Sequence, residues 1–366
     1  MQYRFAPLLE ELPSSVPFVG PEHLERESDA IFLARLGANE NLFGPSPKVI
    51  DELRRNASGS WKYGDPEFSE LRVLLAAHLG ITEEELIVGE GIDGLLSYIC
   101  RMFIEPNDCV VTSEGAYPTF NFHVRGYGGE LSQVPYSSDH EDLQGLIQES
   151  KNTNAKLMYV SNPDNPMGTW WEESVLLETI ESLPSETIMI LDEAYGEFAP
   201  VGTALPIDTS RRNLIRLRTF SKAYGLAGMR VGYAIANPDL ISQFEKIRNH
   251  FGVGYLSQVA AKAALLDQEY LRIMLAEIEQ SRQSIYSIAE ENSLLWIDSA
   301  TNFVAIDCGH DGLFARKILH RLQDNGIFVR MPGVAPLDRC IRVTCGPPEQ
   351  MELFGEVLTK VLAEES

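Results

Sequence analysis

Between about Pro45 and Ser257, short apolar runs alternate with stretches of helical length, and this alternation admits few folds. The runs are Leu86–Val88, Cys109–Thr112, Leu157–Val160, Ile188–Leu191, Leu214–Leu217 and Arg230–Ile235. Ile188-Met189-Ile190-Leu191 has no polar residue to turn towards water, so a strand there is buried on both faces. Strands of that kind joined by helices form a mostly parallel sheet covered on both sides. Such open α/β sheets bind their ligands beyond the carboxyl ends of the strands. The residues that follow each run are therefore the candidates for chemistry.

Two of those ends carry charge. Asp192 closes the run Ile188–Leu191, and Lys222 stands in Thr219-Phe220-Ser221-Lys222-Ala223-Tyr224-Gly225, just beyond Leu217. Burial lowers an amine's pKa, and a neutral amine can attack a carbonyl. A buried carboxylate needs a partner or it protonates. Taken singly, Lys222 reads as a snorkelling side chain and Asp192 as a cap for the next element. On neighbouring strands they read as an amine and a carboxylate facing one cofactor. Gly89-Glu90-Gly91-Ile92-Asp93-Gly94 follows Leu86–Val88 and precedes a helical apolar pattern through Leu95, Tyr98, Ile99, Met102 and Phe103. Strand, glycine turn and helix start aim backbone amides at a phosphate, although many such turns carry glycine for steric reasons alone. The turn matches neither the dinucleotide fingerprint nor a P-loop. Ser161-Asn162-Pro163-Asp164-Asn165-Pro166-Met167-Gly168 is a tight loop after another strand.

These segments occur in one order along the chain with Ala38–Pro47, Tyr63-Gly64-Asp65-Pro66, Ala116–Phe120, Asp192–Tyr195, Arg230, Arg330 and Arg342. Together they resemble the fold-type I pyridoxal-phosphate aminotransferases and, within them, the histidinol-phosphate aminotransferase family. The resemblance runs from about Pro17 to the last helix. It implies a seven-stranded, mostly parallel α/β sheet with a smaller α+β domain, pyridoxal 5'-phosphate as cofactor, and a homodimer with shared active sites. Lys222 would hold the cofactor covalently, and Asp192 would pair with the pyridine nitrogen. Tyr195 and Asn165 match residues that hydrogen-bond the ring hydroxyl. Tyr117 matches one that stacks on the ring; its plainer reading is a core tyrosine. The phosphate would rest on the turn Gly91-Ile92-Asp93, on Thr219 and Ser221, and on Arg230, whose guanidinium can grip it with two charged hydrogen bonds. Tyr63 would reach the phosphate of the other subunit, or serve as an aromatic staple beside Trp61.

Arg342 lies within Cys340–Thr344 and Arg330 follows Ile327-Phe328-Val329, so each needs an anionic partner. The resemblance places the substrate on these two arginines, with Asn39 and Phe18. They suit a phosphate ester, and equally an α-carboxylate plus a structural ion pair. The implied reaction moves an amino group between histidinol phosphate, or a related anionic amine, and a 2-oxo acid such as 2-oxoglutarate, in histidine biosynthesis. Phe18 stands where the family usually has tyrosine, which removes a hydrogen bond worth roughly 0.5–1.5 kcal/mol. Ile92 replaces a small or hydroxylated residue, and Gly346-Pro347 a Gly-Thr pair. An aromatic or broad-range amino-acid aminotransferase and a phosphoamino-acid decarboxylase stay open as alternatives on the same scaffold.

The expected division is an arm at residues 1–44 belonging with the small domain, a large cofactor-binding domain at 45–257, a connecting helix at 258–292 and a small domain at 293–366. The arm carries a short strand near Ile31–Leu36. The small domain carries a strand Phe303–Asp307, a helix Leu313–Asn325, two strands bearing Arg330 and Arg342, and a helix Pro348–Leu362. Five cysteines without CxxC spacing suggest reduced buried thiols at Cys100 and Cys109 and no metal site. Lys and Arg number 30 against 53 Asp and Glu, a net charge of −23 that opposes nucleic acid and anionic membranes. No apolar run is long enough to span a bilayer and no signal peptide is visible, so a cytoplasmic enzyme is expected.

Overall fold

The computed structural model describes residues 3–13, 19–28 and 31–365. Its strands in chain order are β1 Ala34–Arg35, β2 Leu86–Gly89, β3 Cys109–Ser113, β4 Glu130–Val134, β5 Leu157–Ser161 and β6 Ile188–Asp192. They continue as β7 Leu214–Thr219, β8 Gly232–Ala236, β9 Leu295–Ile297, β10 Phe303–Asp307, β11 Ile327–Phe328 and β12 Cys340–Thr344. One seven-stranded sheet has the order β2-β8-β7-β6-β5-β3-β4. The strands from β7 to β4 run parallel, while β8 is antiparallel to both of its neighbours. Strand β4 has no apolar run to announce it. It is an edge strand, half in water, and its sequence Glu-Leu-Ser-Gln-Val says so.

Side chains along the central strands alternate between two helical layers. Leu157, Tyr159 and Ile190 pack with Leu95 and Ile99 of the helix Gly91–Phe103 and with Phe120 and Val124 of Pro118–Gly126. Met158, Val160, Met189 and Leu191 pack with Leu146 of Leu143–Thr153 and Leu176 of Glu173–Ser182. This double burial is why both strands are apolar up to their carboxyl ends, where Ser161 and Asp192 stand. At the β2 and β8 end, Val88, Tyr233 and Ile235 join a core that continues through Leu36, Phe303 and Ile341. One apolar core thus ties the sheet to the C-terminal elements.

Those elements form an antiparallel sheet β12-β10-β9 and a short parallel pair, β1 with β11. Leu36 N–H donates to Phe328 O (2.7 Å), and Leu36 O accepts from Thr344 N–H (2.8 Å), so the N-terminal segment is stitched between β11 and β12.

Four expectations change. The strand near Ile31–Leu36 shortens to Ala34–Arg35. Arg330 lies just past β11 and meets Arg342 through an isolated antiparallel bridge, and Arg230 precedes β8 in the left-handed region at φ +51°. The connecting helix is two helices, Tyr255–Leu266 and Gln268–Glu291, broken at Asp267. Asp267 is drawn out of helical use because its carboxylate accepts from Lys48 Nζ (2.6 Å) and from the Ser46 hydroxyl. Cys100 is buried, but Cys109 is only half-buried at the start of β3; all five cysteines are free thiols. No helix among the described residues is long and apolar enough to cross a membrane, and no cluster there could hold a metal ion.

Candidate active site

A cavity of about 1090 Å³ opens at the carboxyl ends of β5, β6 and β7. Its floor carries the two charged strand ends. Asp192 is 4 % exposed; its Oδ2 accepts from the Tyr159 hydroxyl (2.7 Å) and its Oδ1 from Ala194 N–H (2.9 Å). Both of these partners are neutral, and burial pushes the carboxyl up to about 6 in spite of them. Lys222 Nζ donates to Asn39 O at 3.0 Å and lies 5.6 Å from the Tyr195 ring centroid. Burial first, and the nearby Arg342 cation second, lower its pKa to about 8. About half of this amine is therefore uncharged at pH 8, where an ordinary lysine is almost wholly charged.

Asn39 joins the floor to the N-terminal segment. It takes a left-handed backbone at φ +55°, a conformation asparagine tolerates better than most residues. Its Nδ2 donates to Tyr195 Oη (3.0 Å) and its N–H to Thr344 Oγ1 (3.1 Å). Burial raises the Tyr195 hydroxyl to about 12, so it stays protonated.

Hydroxyls and a guanidinium gather at the other end of the floor. Thr219 Oγ1 donates to Ser221 Oγ (2.9 Å), and Arg230 Nη1 donates to the same Ser221 oxygen (3.3 Å). Arg230 Nη2 reaches Asp93 Oδ2 at 3.3 Å, while Asp93 Oδ1 accepts from the Tyr117 hydroxyl at 2.7 Å. Gly91 does not line the cavity. Its part is steric: at φ +72°, a Cβ there would lie 2.5 Å from Arg230 Nη2. Ile92 and Asp93, at the start of the following helix, do line it.

Arg342 and Arg330 form the facing wall. Arg342 Nη1 donates to Asn165 Oδ1 (2.5 Å) and Nη2 to Gly37 O (3.5 Å), but its buried Nε has no partner among the described residues. Burial lowers this guanidinium to about 10. Arg330 Nη2 donates to Val19 O (2.9 Å), which brings the N-terminal segment over the cavity. Phe18 lies outside the described residues. Tyr63 is not brought to this cavity: it is 78 % exposed and rests 4.7 Å from the Phe251 ring centroid. Tyr159, which holds Asp192, escaped the sequence reading. A tyrosine inside a fully apolar run must find its hydroxyl a partner, and that signal could have exposed it.

The donor set fits pyridoxal phosphate. A buried carboxylate with neutral partners suits a cationic ring nitrogen, the Thr219, Ser221 and Arg230 cluster suits a phosphate, and Lys222 lines the same cavity.

Comparison with known proteins bears on the same cavity. The family model for aminotransferase class I and II matches residues 33–358. A histidinol-phosphate aminotransferase of Geobacillus sp. (strain WCH70) is 34% identical over 359 residues, 97% of each chain. Histidinol-phosphate aminotransferase 2 of Carboxydothermus hydrogenoformans is 35% identical over 359 residues, 97% of this chain and 98% of that one. Among solved structures, the histidinol-phosphate aminotransferase from Sinorhizobium meliloti in complex with pyridoxal-5'-phosphate superposes with a TM-score of 0.97 at 49% identity. That match covers 100% of this chain and 99% of the other.

Proposed function

The chain belongs to the class I and II aminotransferase family, and on that premise we propose a pyridoxal-phosphate-dependent transaminase acting on histidinol phosphate and a 2-oxo acid such as 2-oxoglutarate. The observation that carries this reading is the pairing of Asp192, buried among neutral partners, with the neutralisable amine of Lys222 on one cavity floor.

When bound, the cofactor supplies an electron sink that makes the substrate's α-carbon acidic. Lys222 would hold it covalently through Nζ, and the same nitrogen is the base that would take up the proton from the substrate's α-carbon. A pKa near 8 lets that nitrogen accept a proton and release it again. Asp192 holds a positive ring nitrogen, and Tyr159 and Ala194 fix the carboxylate for that purpose. Tyr195 and Asn165 orient the ring's oxygen side. Thr219, Ser221, Arg230 and the amides of Ile92 and Asp93 would hold the phosphate, and Tyr117 would pack against the ring. Arg342 binds a substrate carboxylate or phosphate, and its unpartnered Nε supports that role. Arg330 and Asn39 complete the substrate side.

The same reading includes a cytoplasmic homodimer in which Tyr63 of one subunit completes the other's phosphate site; its exposed ring supports this. It also divides the chain into a large part at residues 45–257 and a smaller part at 293–366 with the arm, joined by the broken helix pair.

Mixing the cofactor-loaded protein with histidinol phosphate, and separately with phenylalanine, tests the substrate. Histidinol phosphate should bleach the cofactor's visible absorbance at least about tenfold faster, the discrimination that a few polar contacts supply. Faster bleaching by phenylalanine would make the enzyme an aromatic aminotransferase. Release of carbon dioxide from a phosphoamino acid would make it a decarboxylase.

A further inference from the structure

The cavity continues outward past Arg330 to a mouth that the transfer reaction leaves unused. One side of that mouth is a single face of the helix Gly312–Asp324: Arg316, Leu319, His320 and Gln323 follow i, i+3, i+4, i+7 spacing and line the cavity together. The other side is Asn121 and Arg125, one turn apart on Pro118–Gly126.

The charge of this cavity runs against that of the molecule. The whole chain has 30 Lys and Arg against 53 Asp and Glu, whereas the cavity lining has six (Arg125, Lys222, Arg230, Arg316, Arg330, Arg342) against three (Glu40, Asp93, Asp192). Asp93 is taken by Arg230, and Lys222 and Asp192 are committed to the floor. Apart from these, the lining carries Arg125, Arg316, Arg330 and Arg342 against Glu40.

Ordinary structural reasons do not account for Arg316. Neither it nor Arg125 pairs with a carboxylate among the described residues. Arg125 sits in the last turn of its helix, where a cation is favoured by the macrodipole. Arg316 has no such support: it lies one turn from a helix N-terminus, whose first amides are already capped by Asp311. Asn121 lines the cavity beside Arg125, and its side-chain amide N–H groups can donate to an anion. With a net charge of −23, the molecule repels an anion that comes within about one Debye length, roughly 8–10 Å, and is screened beyond it. Unpaired arginines at the entrance reverse the local sign.

We propose that Arg316 and Arg125, with Asn121, His320 and Gln323, form an outer anion subsite that receives multiply charged substrates and passes them inward to Arg330 and Arg342. Its ligands are phosphate monoesters and dicarboxylates, so it serves the amine donor and the 2-oxo acid acceptor in turn. The proposal rests on the transaminase reading above for its substrates. It does not touch the residues that hold the cofactor.

The test uses the cofactor-loaded enzyme and the variants Arg316→Gln, Arg125→Gln and the pair together. Three things are measured: steady-state kinetics with 2-oxoglutarate and with pyruvate, the dependence of kcat/KM on salt, and equilibrium binding of glutarate, a dicarboxylate that cannot react. In the double variant, KM for 2-oxoglutarate should rise about 5- to 20-fold with kcat within about twofold, and the salt dependence should flatten. Glutarate binding should weaken by the same factor, while pyruvate, with one charge, changes by less than about twofold. Equal losses on both acceptors, a fall in kcat, or an unchanged KM with an unchanged salt slope would each overturn the subsite. Failure of histidinol phosphate as a donor for the unaltered enzyme bears on the substrate reading alone, because glutarate binding judges the subsite without any donor.

Discussion

Lys222 and Arg342 are both cations on one cavity, yet the chain brings them there by different routes. Lys222 follows β7, beside Asp192 at the end of the adjacent parallel strand β6, and Asp192 pairs in register with Leu217. Arg342 sits on β12 of a separate sheet and is held by Asn165 from the loop after β5 and by Gly37 from the N-terminal segment. The floor is thus a product of two neighbouring strands. The wall needs three segments far apart in the chain. Where a floor is built locally, its chemistry survives a change of substrate; where a wall is built from distant pieces, specificity can drift without loss of the cofactor.

Substitutions on the two sides should separate these roles. Lys222→Ala should lower kcat by at least about 10⁴-fold and abolish the borohydride-trappable attachment of cofactor; steady-state transamination in that variant would sink the assignment. Asp192→Asn should keep that attachment while slowing single turnover about 10²- to 10³-fold, and a near-normal rate would remove Asp192 from the chemistry.

On the wall, Arg342→Gln removes charge-assisted hydrogen bonds worth about 1.5–3 kcal/mol, so KM should rise roughly 10- to 100-fold with covalent cofactor binding intact. Loss of the cofactor as well would show that floor and wall are not separable. The same variant offers a finer measurement. Arg342 is the second cause of the lowered Lys222 pKa, so the Lys222 amine of the cofactor-free protein should titrate above 8 once Arg342 is gone.

The smallest expected effect is on stability. In the cofactor-free protein Lys222 is lowered from 10.5 to about 8, so between those values the unfolded chain binds more protons than the folded one. Stability should therefore rise with pH across that window, by linkage, and Lys222→Met should flatten this part of the curve. Thermal unfolding of both proteins across pH 8 to 10 would measure it; identical slopes would place the amine in ordinary solvent.

The apolar runs betrayed β5, β6 and β7 because strands covered by helices on both faces cannot afford polar residues. Strand β4 stayed hidden because an edge strand keeps half its residues in water. The break at Asp267 was equally invisible, since an aspartate in a long amphipathic stretch reads as one more surface residue until Lys48 and Ser46 are seen to claim it. Among the site residues, Asp192 and Lys222 were legible from their positions after strands, and the two arginines from the cost of burying a cation in an apolar run. Gly37 and Val19, which hold Arg342 and Arg330, lie about 300 residues away in sequence and nothing local marks them, whereas Asn39 was named only through the resemblance and not as the partner of Lys222.

The amino-acid sequence by itself determined the parallel sheet, the side of it on which a ligand sits, and which amine and carboxylate meet there. Each follows from local burial and from where a strand ends. Tertiary structure alone decided that burial lowers the Lys222 amine to about 8, that the Arg342 Nε is buried without a partner among the described residues, and that the cavity of an acidic protein is lined by more cations than anions. Those properties depend on which groups exclude water from one another, and exclusion is a matter of distance in space, which chain order does not record.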